Sequence, residues 1–264
     1  MTSRPDTWRR PPFIANPVVR WAVYLGVLAY FAWVVATMPI DWTRAAQGIE
    51  RAGRIFGGAF PPSYERSGLL IDGFLESLKI AILATAGGVA LSIPIAFMSA
   101  RNIAPLPVFY LGRAIIIVAR SFHPVIVAII FVKAVGFGPF AGVLTLVVYS
   151  VGFVAKMLAE RIEEIDFGQV EAMRAAGAPY ASTLIYAIFP QIMPRQIGLT
   201  IYQLDSNLRA SAVVGIVGAG GIGATLANAF GRYDYDFALA ITIVIVGVIL
   251  ISEGVSGQIR KRLA

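Results

Sequence analysis

Three glycines in the stretch Val217-Gly-Ala-Gly-Gly-Ile-Gly-Ala224 stand as G-x-G-x-x-G, at Gly218, Gly220 and Gly223. That spacing can wrap a backbone loop around a pyrophosphate. Just before it, Asp205, Asn207 and Arg209 interrupt an apolar run, and Arg120, His123 and Lys133 surround Pro124. A dinucleotide site needs a strand before the glycines, a helix after them and a βαβ unit with a later acidic residue. Here "TIYQLDSNLRASAVVGIV" before the glycines reads as a membrane helix. The segment after them, "ATLANAFGRYDYDFALAITIVIVGV", reads as a short polar turn and another membrane span. No β-α alternation exists anywhere in the chain, so the cofactor reading fails. Glycine permits left-handed dihedrals and close chain approach. Gly218, Gly220, Gly221 and Gly223 therefore make either an irregular, re-entrant segment at the outer mouth of a pathway or a plain loop.

Charges inside spans are costly and mark functional positions. Asp205 and Arg209 are four residues apart, so on a helix they face each other. One reading is a self-neutralising pair. The other places Arg209 in the path of an anion, where its guanidinium fork matches phosphoryl oxygens and Asp205 steadies it. Arg120, His123 and Lys133 would add positive field to the outer half of such a path. Their plain alternatives are a helix–carbonyl bond for Arg120, a backbone-satisfied neutral imidazole for His123 and a snorkelling amine for Lys133.

The elements that must position these groups can be drawn from composition. The 264 residues are 58% hydrophobic and 14% charged, more apolar than one water-soluble core can hide. Absence of cysteine excludes disulfides and thiolate chemistry, and a single histidine excludes a His-rich metal site. No metal cluster, nucleophile–base constellation or phosphate-loop motif can be drawn, so the chain itself is not an enzyme. The net charge of +7 reads as orientation of a membrane protein rather than nucleic-acid binding.

Windows of about 20 apolar residues give six spans, near 18–38, 69–98, 107–135, 140–159, 195–217 and 236–256, with Pro124 breaking or kinking the third. The first is too long for a signal-peptide core and is retained. Arg4, Arg9, Arg10 and the terminal Arg260-Lys261-Arg262 place both termini in the cytoplasm by the positive-inside rule, which six spans satisfy. The first part, 1–67, holds the tail, the first span and an external segment with a short surface helix anchored by Trp42. The second, 68–264, is the bundle. In the second span Ala84, Gly88 and Ser92 set small residues on one face, suited to close helix packing.

One long polar loop, about 160–194, falls on the cytoplasmic side. Asp166 suits an N-cap, Gly177 a C-terminal cap, Pro179 the first turn of a second helix, and Pro190 the end of that helix. Ala172, Ala175 and Ala176 keep the first helix thin enough to nest in a partner's groove.

This loop resembles that of ABC-importer permeases, whose pattern is E-A-A, three residues, G, nine residues, I-x-L-P. Glu171-Ala172-Met173, Gly177 and Ala187-Ile188-Phe189-Pro190 fit the spacing, with Met173, Ala187 and Phe189 departing from it while staying apolar. "YQLDSNLRASAVVGIVGAGGIG" (202–223) is similar to the fifth-helix region of phosphonate-type permeases, so the resemblance covers roughly 120–264. It implies an all-α integral membrane fold with six spans, the type I importer (MetI-like) architecture, in a bacterial inner membrane. It further implies a homodimer of permease chains, an external substrate-binding protein and a cytoplasmic ATPase dimer that holds ATP and Mg. Glu171, Ala172, Arg174, Gly177 and Pro190 would couple to the ATPase. Arg120, His123, Asp205, Asn207, Arg209 and the four glycines would line the path of a phosphonate or related oxyanion. The same architecture serving methionine, a metal or phosphate, and a passive anion channel, are the alternatives.

Overall fold

The computed structural model describes residue 14, residues 16–39 and residues 41–263. The N-terminal arginines Arg4, Arg9 and Arg10 lie outside the described residues, as do the side chains of Arg260, Lys261 and Arg262. All regular structure among the described residues is helical, and the chain divides into two compact units, Met1–Arg54 and Ile55–Ala264.

In the first unit, α1 (Pro17–Thr37) starts with Asn16 accepting the Val18 N–H at 3.0 Å and with Pro17 in the first turn. Proline costs nothing there because that N–H has no helical partner. None of α1's residues is buried. A helix apolar all round with no protein cover belongs in lipid. α2 (Trp42–Ala59), which starts in the first unit and ends in the second, puts a helix where the sequence predicts a short one. Asp41 accepts the N–H groups of Thr43 and Arg44 at 3.0 and 3.1 Å, and the Thr43 hydroxyl as well. The hydroxyl above all, then those N–H groups, hold the Asp41 carboxyl below its usual range. Exposed Trp42, Ile49 and Phe56 recur at sevens along α2 and form one apolar stripe.

The second unit contains α3 (Ser67–Ser99), α4 (Leu106–Ser121), α5 (Pro124–Val135), α6 (Pro139–Glu163), α7 (Phe167–Ala175), α8 (Tyr180–Thr183), α9 (Phe189–Val214), α10 (Gly221–Gly231) and α11 (Tyr235–Leu263). Two clusters mark its ends. At one, Ala96, Ala100, Leu158, Ile162, Val170, Ile188 and Ile192 pack together. At the other, Leu70, Ile222, Ala229, Phe237 and Ile241 do so. Between them lies a third cluster of Ile80, Ala128, Val132, Leu146, Val214 and Ala219. These memberships fix each helix's direction. α3 runs from the Leu70 end to the Val170 end, α6 descends in the same sense, and α9 climbs back from Ile188 to Val214.

The third span expected from sequence is two helices, α4 and α5, meeting at 91°. At about 1.5 Å per residue, α4 covers about 24 Å and α5 about 18 Å, each short of a bilayer core of about 30 Å. Ile103, just before α4, packs at the Val170 end, and Arg113 within α4 donates its Nε–H to the Ser99 carbonyl at 3.0 Å. Val132 of α5 packs with Ala219 near the opposite end. The pair therefore makes one broken crossing rather than a re-entrant hairpin. Pro124 causes the break: it supplies no N–H, and it holds His123 in extended geometry (φ −67°, ψ 140°). α1, α3, α6 and α11 are each long and apolar enough to cross a membrane, and the two bent pairs bring the number to six.

The stripe Ala84, Gly88, Ser92 is buried. A Cβ on Gly88 would lie 2.3 Å from Cβ of Ser150, so the small face lets α3 and α6 touch at backbone distance.

Candidate functional site

α7 is built as a short, fully capped rod. The Asp166 carboxylate accepts the Gly168 N–H at 2.9 Å. At the other end, Gly177 adopts φ +73°. Its N–H donates to the Arg174 carbonyl and the Ala178 N–H to the Met173 carbonyl, both at 3.0 Å. This pair of bonds is a Schellman cap, in which glycine occupies the left-handed position. Phe167, Val170 and Met173, three apart, face the cluster with Ile162 and Ile188. Glu171, Ala172, Arg174, Ala175, Ala176 and Gly177 are all exposed on the outer side of the rod, and of residues 171–177 only Met173 is half-buried. The Arg174 guanidinium lies 5.7 Å from the Phe167 ring. Gln191 fastens the rod to α9: it accepts the Asp166 N–H at 2.9 Å and donates to the carbonyls of Asp166 and Ala187 at 3.2 and 2.7 Å.

The sequence reading ends the second loop helix at Pro190, but no end exists there. α8 passes through a π turn at Leu184–Ile188 straight into α9, with Pro190 in its first turn. A proline ring inside a regular helix clashes with the carbonyl four residues earlier. Widening the preceding turn removes that clash, so the helix continues. Pro179 stands one place earlier than expected, as the N-cap of α8.

Along α9, Asp205 is 8% exposed. It accepts from Arg209 at 2.8 Å and from the Ser252 hydroxyl of α11 at 2.6 Å. The Arg209 side chain is half exposed, so the pair is held by Asp205 while the guanidinium reaches outward. Asn207 points elsewhere. It is fully buried and bonds Thr85 Oγ1 and Ser150 Oγ, each at 2.9 Å, while its amide oxygen accepts from Gln203 at 2.9 Å. This four-residue network joins α3, α6 and α9. Arg120 is exposed, and its stem lies against Gly152 of α6. His123 is exposed, and its Nδ1 accepts the Val125 N–H at 3.3 Å as the N-cap of α5. The ion-pair partner of Arg209 is Asp205, on its own helix, and the structure does not gather Arg120 and His123 around that pair.

The glycine stretch is irregular rather than a loose loop. A second π turn, Gly215–Ala219, ends in left-handed Gly218, Gly220 and Gly221, at φ +97°, +79° and +75°. A Cβ on Gly223 would stand 1.9 Å from the Ala212 carbonyl oxygen, and one on Gly215 2.4 Å from that of Gly220. The Gly218 carbonyl accepts the Gly138 N–H at 3.0 Å, and Ser77 Oγ accepts the Ile222 N–H at 2.9 Å. The polar turn expected after the glycines is instead helix α10, bent 53° from the segment before it. "GIGATLANAFG" holds as many glycines as alanines, so propensity alone does not make it helical; burial of Ile222 and Ala229 beside Leu70 holds it there.

The family model described as "Binding-protein-dependent transport system inner membrane component" matches residues 92–264. The chain belongs to that family. The "Phosphite transport system permease protein PtxC" of Stutzerimonas stutzeri is 39% identical over 241 residues, covering 91% of this permease and 87% of that protein. The "Phosphate-import permease protein PhnE" of Mycolicibacterium smegmatis is 42% identical over 211 residues, 79% of this permease but only 40% of that protein's length. A solved structure of the MetNI methionine ABC transporter, in inward-facing conformations, matches with TM-score 0.66 at 22% identity, covering 76% of this permease and 99% of that chain. At that identity the likeness shows the fold. The resemblance to phosphonate-type ABC permeases stands, as does the six-span type I architecture in an inner membrane.

Sequence reading missed three features of the permease. Gln203 stands four residues before Asn207, a spacing that could have announced the buried network. Glu76 reaches the glycine turn, its Oε1 2.8 Å from where a Gly220 Cβ would be, and it was visible as an acid in the span 69–98. Gln191's staple to Asp166 spans 25 residues, and no local pattern announces it.

Proposed function

We propose that this permease carries phosphonate, phosphite or a related phosphorus oxyanion inward across the membrane by alternating access. It works as a homodimer, with the α7 end and both termini in the cytoplasm. A separate ATPase dimer binds ATP and Mg and docks on α7, and an external binding protein delivers the solute at the glycine end. The observation that carries the reading is α7 itself. It is capped at both ends and buried on one face, with Glu171, Ala172 and Ala176 presented on the other. A rod of this kind transmits a push without deforming. The names of the phosphate and phosphite relatives support the substrate class, and Arg209 is the group suited to it. On this reading Gly218, Gly220, Gly221 and Gly223 form the outer mouth, and Asp205 holds Arg209 toward the path.

The test is uptake of labelled phosphite into vesicles that hold the permease, its ATPase and its binding protein, with ATP on the ATPase side. Glu171→Lys and Gly177→Pro should leave folded permease while ATP hydrolysis loses its dependence on loaded binding protein. Wild-type uptake by both variants contradicts docking at α7, and absence of any uptake by the unaltered complex removes the substrate assignment.

A further inference from the structure

α9 carries idle hydrogen-bonding groups inside the bundle. Gln196 is 7% exposed, and neither its Oε1 nor its Nε2 has a partner among the described residues. Gln203 is fully buried. Its Nε2 donates to Ser150 Oγ and Asn207 Oδ1, but its Oε1 has no partner there. No bulk water repays such groups in a membrane interior, and each unmade hydrogen bond costs free energy. A buried amide left idle calls for a reason.

The facing helix supplies one. α3 and α9 run in opposite senses, and three pairs fix their register. Asn207 Nδ2 donates to Thr85 Oγ1 at 2.9 Å, Ile192 and Ala100 share one cluster, and Ser77 and Ala212 line one small cavity. Both helices advance about 1.5 Å per residue, so Gln196 comes level with Ala96, which offers no polar side chain. One turn nearer the Leu70 end stands Ser92, fully buried. Its hydroxyl donates to the Gly88 carbonyl at 2.6 Å and can still accept. Gln196 and Gln203 are seven residues apart on α9, and Ser92 and Thr85 are seven apart on α3. Moving α9 by one turn, about 5.4 Å, toward the glycine corner therefore brings Gln196 to Ser92 and Gln203 to Thr85 in one step, while Asn207 gives Thr85 up. The track is smooth: Ala81, Thr85, Gly88, Ser92, Ala96 and Ala100 of α3 are all buried, and none is longer than threonine. α9 is flanked at both ends by π turns, Leu184–Ile188 and Gly215–Ala219, defects that concentrate at functional sites. One-turn ratchets of one packed element past another are a known form of switching.

We infer that α9 has two registers against α3, one turn apart, and that Gln196 and Gln203 are the groups reserved for the second. The push that selects the second register, an ATPase acting on α7, rests on the proposed function. The registers themselves rest on the residues above.

The chain has no cysteine, so paired substitutions report the register in the complex of permease, ATPase and binding protein. Ile192→Cys with Ala100→Cys should cross-link without nucleotide, and Ile192→Cys with Ala96→Cys in ATP and vanadate, each favoured about fivefold over the other condition. Gln196→Leu removes an amide that is only a cost in the present register. It should raise the thermal midpoint of the nucleotide-free complex by about 2–4 °C. The same variant should lose the vanadate-dependent cross-link and take up labelled phosphite about tenfold more slowly. A cross-linking pattern indifferent to nucleotide, in a complex that takes up phosphite, defeats the second register alone. Wild-type uptake by folded Gln196→Leu also overturns it, and a lowered midpoint in that variant would assign Gln196 to a buried water instead. Cross-links that switch with nucleotide in an unaltered complex without phosphite uptake defeat the substrate assignment alone.

Discussion

Both ends of α9 pass through a π turn, yet the chain does opposite things there. At Leu184–Ile188 the widened turn makes room for Pro190, and the helix continues on its course. At Gly215–Ala219 the wide turn is itself broken by Gly218 at φ +97°, left-handed Gly220 and Gly221 follow, and the chain swings 53° into α10. A proline objects through its missing N–H and its ring, both of which one loosened turn can absorb. Clustered glycines lift the steric bar on left-handed backbone, and the neighbours then close in to distances no side chain allows. The same local defect is a helix-saver in one place and a corner in the other.

The largest effect expected from this contrast is at the corner. Gly223→Val would drive a side chain into the Ala212 carbonyl, with a cost above about 4 kcal/mol. Such a variant should fail to yield folded permease in detergent, and a monodisperse, cooperatively melting product would mean that the corner has room to spare. Next comes the middle of α9. Asn207→Leu strands Gln203, Ser150 and Thr85, at about 1–2 kcal/mol in a membrane interior, read as a lowered thermal midpoint. A midpoint unchanged by Asn207→Leu would mean the network holds no weight. Gly177→Ala at the α7 cap meets no neighbour within 4 Å but must keep φ +73°. It should cost about 1–2 kcal/mol locally, seen as faster hydrogen exchange in 167–178 with the bundle unaltered. The smallest change is at the first π turn. Pro190→Ala removes the reason for widening, so the amides of 184–190 should exchange more slowly while global stability moves by less than about 1 kcal/mol. Exchange that stays as fast in Pro190→Ala means something other than the ring maintains the turn.

These two regions also separate what could be read from the sequence. The α7 rod was legible because its signals are local: an Asp before it, a Gly after it, and apolar residues at threes. The crossing helices were legible because length and composition suffice for them. Pro190 misled because a helix can reroute one hydrogen bond rather than stop, and the decision depends on Ala187, Ile188 and Ile192 being buried together around it. α10 was hidden because its polar residues suggested a turn, while the burial that stabilises it comes from Leu70 and Phe237, outside the helix itself. Asp205 and Arg209 were paired correctly by spacing, but Ser252, which bonds Asp205 from α11, has no signature. Asn207 looked like a neighbour of Arg209 and in fact faces inward, since two residues along a helix is about 200° around it.

The Gln191 staple stiffens the α7 end of the bundle. A loop that joined α7 to α9 through backbone alone would stretch before it pulled, and small displacements would die in its slack. With one amide gripping the rod's capping residue from both sides, and the same amide anchored on its own helix, the two elements are geared together. A nine-residue peg held in this way turns with α9 instead of sliding against it.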